Sequence, residues 1–154
     1  MARVRALREY DKRDTLESAF NYKMTDLLAA IGLSQAARFK SFLGRRRVIA
    51  MRYAEAVYRA RLEPPQVSHG WEHAYYRFVV RMPMPVEPML ERAHALGIVC
   101  RRPVNPPIHR YLGLTGFPES DAAWEHTLSI PIYPTLSDGE VNRVVEAFPS
   151  ILSG

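Results

Sequence analysis

The 154-residue sequence predicts an α/β (α+β) fold in two layers, long helices followed by a small sheet packed with helices. Three observations carry that expectation. Thr25 to Ala60 contains no proline and repeats apolar or aromatic residues at 24, 27, 28, 31, 39, 42, 49, 53 and 57, which is helical spacing. Residues 73 to 82 alternate instead, with Ala74, Tyr76, Phe78, Val80 and Met82 on one face and His73, Tyr75, Arg77 and Arg81 on the other, as in a half-buried strand. Beyond them, short apolar runs switch between strand and helix periods, separated by proline and glycine.

Thr25 can cap a helix that starts near Asp26, whose carboxylate suits the positive end of the helix dipole. Gly44 is expected to break or bend the helical stretch, giving two helices over 26 to 42 and 45 to 60. Glu63-Pro64-Pro65 ends the second, and residues 61 to 71 read as a linker. After the strand at 73 to 82, a helix from Val86 to Leu96 has prolines 85 and 88 near its first turn and Gly97 at the expected C-terminal cap. Ile98 to Arg101 read as a second strand, followed by a proline-rich loop with Pro103, Pro106, Pro107 and Pro118. A short helix over Asp121 to His126 and a third strand over Leu128 to Ile132 come next. Ser137-Asp138-Gly139-Glu140 is a capping-box pattern that opens a last helix to about Phe148, with Val141, Val144 and Val145 facing inward.

Composition narrows the class. With 47% hydrophobic and 24% charged residues, the chain falls outside disordered, collagen-like and disulfide-scaffold proteins. It has no apolar run of about 18 residues and no secretion signal at its start, so a cytoplasmic location without a membrane partner is expected. A single cysteine, Cys100, excludes an internal disulfide and a cysteine-rich zinc site. Charge is uneven: residues 1 to 62 sum to +8 and residues 63 to 154 to −3. The run Arg45-Arg46-Arg47 is either a solvated helix face or a surface for nucleic acid, anionic lipid or a phosphorylated small molecule, nucleic acid being the disfavoured partner.

Each chemical candidate competes with a plain structural role. His69 and His73 flank Glu72, but His-Gly-Trp-Glu-His leads into a strand, where residues four apart do not converge on one metal, so no metal site is expected. His94 and His126 lie in expected helices without partners at ligand spacing. Cys100 beside Arg101 and Arg102 is either an activated thiol or a small buried residue. Asn21-Tyr22-Lys23-Met24 precedes the first long helix, where free backbone N–H groups can bind an anion or simply be capped. His109 sits on the long proline-rich loop, either as a surface histidine or at a place where ligand contacts gather. No nucleophile elbow or glycine-rich phosphate loop is present, and no catalytic residue is assigned.

The run Asn21-Tyr22-Lys23-Met24-Thr25-Asp26-Leu27-Leu28-Ala29-Ala30-Ile31-Gly32-Leu33 resembles the Asn-Tyr-Arg-Met-Thr-Asp segment of the DegT/DnrJ/EryC1/StrS family, pyridoxal-phosphate (PLP)-dependent sugar aminotransferases. The resemblance continues through Arg45-Arg46-Arg47-Val48-Ile49-Ala50 to Tyr53, the strand from His73 to Val80 and Pro107-Ile108-His109. It closes in Leu128-Ser129-Ile130-Pro131-Ile132-Tyr133-Pro134 and Leu136-Ser137-Asp138-Gly139-Glu140-Val141.

The resemblance implies the C-terminal small domain of a fold-type I PLP-dependent transferase. Residues 1–62 would join a missing large domain to the small α/β domain at 63–154. The opening Met1 to Arg8 reads as the interior of a helix, in keeping with a piece of a longer enzyme. In the family the upstream domain holds the lysine that forms the Schiff base, whereas Lys12, Lys23 and Lys40 fall outside that motif. Transamination needs such a lysine to hold the aldehyde and shuttle a proton, so this chain alone is expected to be inactive. The parent would be a homodimer that moves an amino group from an amino acid, glutamate by resemblance, to a nucleotide-bound keto-sugar. Asn21 would contact the cofactor phosphate of the neighbouring subunit, with Lys23 beside it, while Tyr22 and His109 would face the nucleotide-sugar. The alternative is a non-catalytic interaction module that pairs with a full-length homologue.

Overall fold

A computed structural model describes residues 2–8, 20 and 22–153. The chain divides into two compact units, residues 1–40 and 41–154. In the first, a short helix α1 (Ala2–Arg8) is followed by the first half of a long helix α2 (Asp26–Arg59). Thr25 caps α2 as expected, its Oγ1 accepting from the Leu28 N–H at 3.3 Å. Leu27, Leu28, Ile31, Leu33 and Phe39 on this half are all exposed.

The expected break at Gly44 does not occur, and α2 runs unbroken to Arg59. Gly44 keeps an ordinary helical φ, and a Cβ there would meet nothing within 4 Å, so the glycine weakens the helix by roughly 1 kcal/mol without turning it. Past Gly44, Ile49, Ala50, Tyr53 and Val57 repeat at helical spacing and are buried in the core of the second unit.

That core is built on one antiparallel ladder, β1 (Phe78–Arg81) against β2 (Thr127–Ile130), paired Phe78↔Ile130 to Arg81↔Thr127. Phe78 and Val80 with Leu128 and Ile130 face inward and are buried. The strand expected over 73 to 82 is therefore shorter. Tyr75 takes a positive φ of 46°, with its N–H donated to His73 Nδ1 at 2.9 Å, and this kink reverses the expected alternation. Tyr75 packs against the core beside Phe78, whereas Tyr76 is 69% exposed. The second expected strand, 98 to 101, shrinks to one bridge, Arg101↔Ser129. Pro103, which has no N–H to donate, follows it.

Between the strands lie α3 (Glu87–Ala95), α4 (Ile108–Tyr111) and α5 (Pro118–Glu125), and after them α6 (Asp138–Leu152). Gly97 ends α3 with φ 72°, its N–H donated to His94 O and that of Ile98 to Ala93 O, so the helix closes on paired backbone bonds. At α6, Ser137 Oγ accepts from Glu140 N–H while Glu140 Oε2 accepts from Ser137 N–H, completing the expected capping box. This holds the Glu140 carboxyl below its ordinary pKa. The helix passes Pro149 and ends at Leu152, beyond the expected Phe148, because one missing N–H in the last turn costs less than exposing Ile151, which is buried. Arg92 on α3 donates to Ile151 O at 2.8 Å and Arg143 on α6 to Leu96 O at 2.8 Å, locking these helices together. No helix among the described residues is long and apolar enough to cross a membrane.

Arg45, Arg46 and Arg47 are half-buried rather than solvated. Arg45 donates to Leu136 O and pairs with Asp138 at 2.8 Å, Arg46 lies over the Tyr76 ring, and Arg47 pairs with Glu72.

Tyr53 sits edge-on to Phe78 and donates its hydroxyl to Pro131 O at 3.0 Å. Phe78→Ala is expected to cost about 3–5 kcal/mol and Tyr53→Phe about 1 kcal/mol in equilibrium denaturation of the full chain. Equal losses would mean that the hydroxyl, rather than ring packing, sets the stability of this seam.

Candidate functional site

The proline-rich loop of the second unit is built around the single-turn helix α4. Pro107 stands at the N-cap of α4 with φ −56° and ψ 145°, so the chain enters the helix from an extended conformation set by its ring. Gly113 and Gly116 take φ of 64° and 93°, the left-handed turns that bring the chain back toward α5. A single turn of helix has little stability of its own. Side chains supply what the backbone lacks.

His109 is buried, 6% exposed, and not a surface histidine. Its ring stacks on Phe117 at 4.7 Å, and its Nε2 lies 3.0 Å from Asp121 Oδ1 on α5. Arg110 donates to the same Asp121 oxygen and also to Glu125, one turn further along α5. The Arg110 guanidinium holds the Asp121 carboxyl below the ordinary carboxylate range, with His109 adding to the effect. The two carboxylates in turn push the Arg110 pKa up.

Trp124 completes the cluster. The guanidinium carbons of Arg102 and Arg110 lie 4.1 Å and 4.6 Å from its ring centroid, and its Nε1 donates to Val104 O at 3.2 Å. Arg102 also pairs with Glu87 of α3 at 2.6 Å. The loop is thereby fastened at both ends, with His109 fixed inside it and Ile108, Tyr111, Leu112 and Leu114 turned outward. A buried histidine held against a carboxylate has a fixed ring orientation.

The other expected site residues lie in the first unit. Asn21 is outside the described residues. Tyr22 is 71% exposed and stacks on Phe20 with ring centroids 5.1 Å apart, and Lys23 is exposed just before α2. His109 belongs to the second unit, where it meets Asp121, Arg110 and Phe117.

Asp121, Trp124 and Glu125 were not singled out from the sequence. Their signal was the spacing of Asp121 and Glu125 on one helix face, opposite a histidine–arginine pair that follows two prolines. Cys100 is half-buried, and burial pushes its thiol up to about 11, which disfavours the nucleophilic thiolate. Lys23 and Lys40 are exposed.

Comparison with known proteins gives a consistent result. The profile of the DegT/DnrJ/EryC1/StrS aminotransferase family matches residues 2–149. GDP-perosamine synthase of Caulobacter vibrioides is 28% identical over 144 residues, covering 86% of this chain and 38% of that protein. The aminotransferase TlmJ of Streptoalloteichus hindustanus superposes with a TM-score of 0.84 at 26% identity, over 98% of this chain and 44% of its own. Spr1654 of Streptococcus pneumoniae, assigned as a sugar aminotransferase and solved in PMP and PLP forms, superposes with a TM-score of 0.74 at 26% identity. It covers 90% of this chain and 38% of its own. The chain thus spans less than half the length of these relatives.

Asp121 stays ionised, and the loop clamped, at neutral pH. Because its folded pKa is lowered, the stability it contributes is present above the ordinary carboxylate pKa and is lost as pH falls through the folded value. Trp124 fluorescence in a Trp71→Phe background is expected to change over that acid range, and Asp121→Asn to remove the step. An unchanged titration in the variant would assign the step to another group. At neutral pH, Cys100 is expected to react with a thiol reagent more slowly in the folded chain than in the denatured chain, and equal rates would contradict its burial.

Proposed function

The chain belongs to the DegT/DnrJ/EryC1/StrS aminotransferase family, and from that membership we propose that it is the C-terminal part of a PLP-dependent nucleotide-sugar aminotransferase, inactive without the lysine-bearing large part. The observation that carries this reading is the family match along residues 2–149 combined with coverage of 38% and 44% of the relatives' lengths. The parent reaction moves an amino group from an amino acid, glutamate by family resemblance, to a keto-sugar.

In this proposal residues 1–62 are the joining segment and residues 63–154 the small domain, with side chains between 49 and 57 of α2 lent to the small-domain core. Asn21 and Lys23 contact the cofactor phosphate of a neighbouring subunit, where the N–H groups at the start of α2 favour an anion. Tyr22 and the loop around His109 line the way in for the nucleotide-sugar. PLP supplies the aldehyde and the electron sink when bound, and both its lysine and its main cradle come from the large part. The exposed apolar residues Leu27, Leu28, Ile31, Leu33 and Phe39 support a role beside another protein surface, since broad uncovered patches mark interfaces.

The test is reconstitution. The full chain is combined with the lysine-bearing large part of a family member, and cofactor absorbance and amino transfer from glutamate to a nucleotide keto-sugar are followed. Neither component alone is expected to turn over, the pair is expected to do so, and Asn21→Ala is expected to weaken PLP binding about tenfold. A chain that binds an active full-length homologue without altering its turnover would contradict this reading and favour a non-catalytic pairing module.

A further inference from the structure

A second feature lies on the face of the sheet that points away from the core. Leu128 and Ile130 face inward, so Ser129 between them faces outward, as does its bridge partner Arg101. Val99, two residues before Arg101, is exposed, and Arg77, next to the inward-facing Phe78, is exposed as well. With Tyr76 and Pro131 these side chains line a groove of about 140 Å³. The kink at Tyr75 turns Tyr76 out to form one wall.

The charge in this groove is uncompensated. Arg77 and Arg101 have no carboxylate at ion-pair distance among the described residues, whereas Arg45, Arg47, Arg59, Arg102 and Arg110 each have one. Arg46 and Arg77 both place their guanidinium carbons 5.6 Å from the Tyr76 ring centroid. Arg46 Nε is buried with no acceptor among the described residues. Ser129 is 8% exposed, and its hydroxyl has no hydrogen-bond partner among the described residues. Two exposed guanidinium groups without a carboxylate partner, beside a hydroxyl without one on the same face, form a convergent set of donors that suits an anion.

We propose that this outer face of the sheet is an anion site that takes a phosphate or diphosphate group, with Arg77, Arg101 and Ser129 as donors and Tyr76 as its wall. Arginine offers a planar fork that matches phosphate oxygens, which favours this class over a simple halide. At about 140 Å³ the groove falls well below the roughly 300–1,000 Å³ typical of pockets for drug-sized ligands, so it fits the charged group rather than a whole nucleotide-sugar. The inference does not depend on the aminotransferase reading.

Titration of the full chain with inorganic pyrophosphate, followed by amide chemical shifts and calorimetry, tests it. Saturable shifts at residues 76, 77, 99, 101 and 129 are expected, with affinity lowered about tenfold by Arg77→Gln and again by Arg101→Gln. GDP binding at the same residues, with guanosine inert, would identify the group as one carried on a nucleotide. Failure of GDP beside binding of pyrophosphate would identify a free inorganic anion, and both results support the site. Absence of saturable shifts in the unmutated chain at millimolar pyrophosphate would overturn it. So would equal, weak shifts at every arginine with sulfate and pyrophosphate alike, or affinity untouched by either substitution.

Discussion

The edge-to-face contact between Tyr53 and Phe78, with ring centroids 5.5 Å apart, is where the long helix meets the sheet, and the second unit depends on it. A ladder of four residue pairs is too small to stand in water and must be covered on its apolar face. Tyr53, with Ile49 and Val57 on the same stripe, supplies cover from α2, while Val141, Val144 and Phe148 supply it from α6. Burial raises the Tyr53 phenol pKa, and its hydroxyl stays satisfied on Pro131 O just past the end of β2. One side chain thus sets both the packing distance of the helix and the path of the chain leaving the sheet.

The clamped loop follows from the same frame. Its two ends are tied to α5 through Asp121 and Glu125 and to α3 through Glu87, and α5 runs straight into β2. Anything that loosens the sheet therefore reaches His109 without acting on the loop itself. His109 is held by a ring stack, a carboxylate and burial.

Much of this was legible in the sequence because the physics involved is local. The stripe on α2, the Thr25 cap, the Gly97 terminator and the Ser137–Glu140 box each rest on residues within a turn or two of one another. What escaped was decided by partners far along the chain. Gly44 reads as a breaker by type, yet it lies in open space, and the packed residues beyond it carry the helix through. Alternation over 73 to 82 assumes an unbroken strand, and the positive φ at Tyr75 exchanges the roles of Tyr75 and Tyr76. His109 stood out by its place in a proline-rich loop, but its carboxylate partner is twelve residues away on an element whose facing side no local pattern reveals. The roles of Asn21 and Lys23 were suggested by family resemblance, and no spacing argument would have reached them.

The proposed role of Asn21 turns on where the start of α2 lies beside the lysine-bearing large part of a family member. A crystal structure of the full chain bound to the lysine-bearing part and PLP measures this directly. That role places the Asn21 amide within hydrogen-bond distance of the cofactor phosphate of a neighbouring subunit. A phosphate bound wholly by residues of the large part, with Asn21 and the start of α2 turned to solvent, would contradict it.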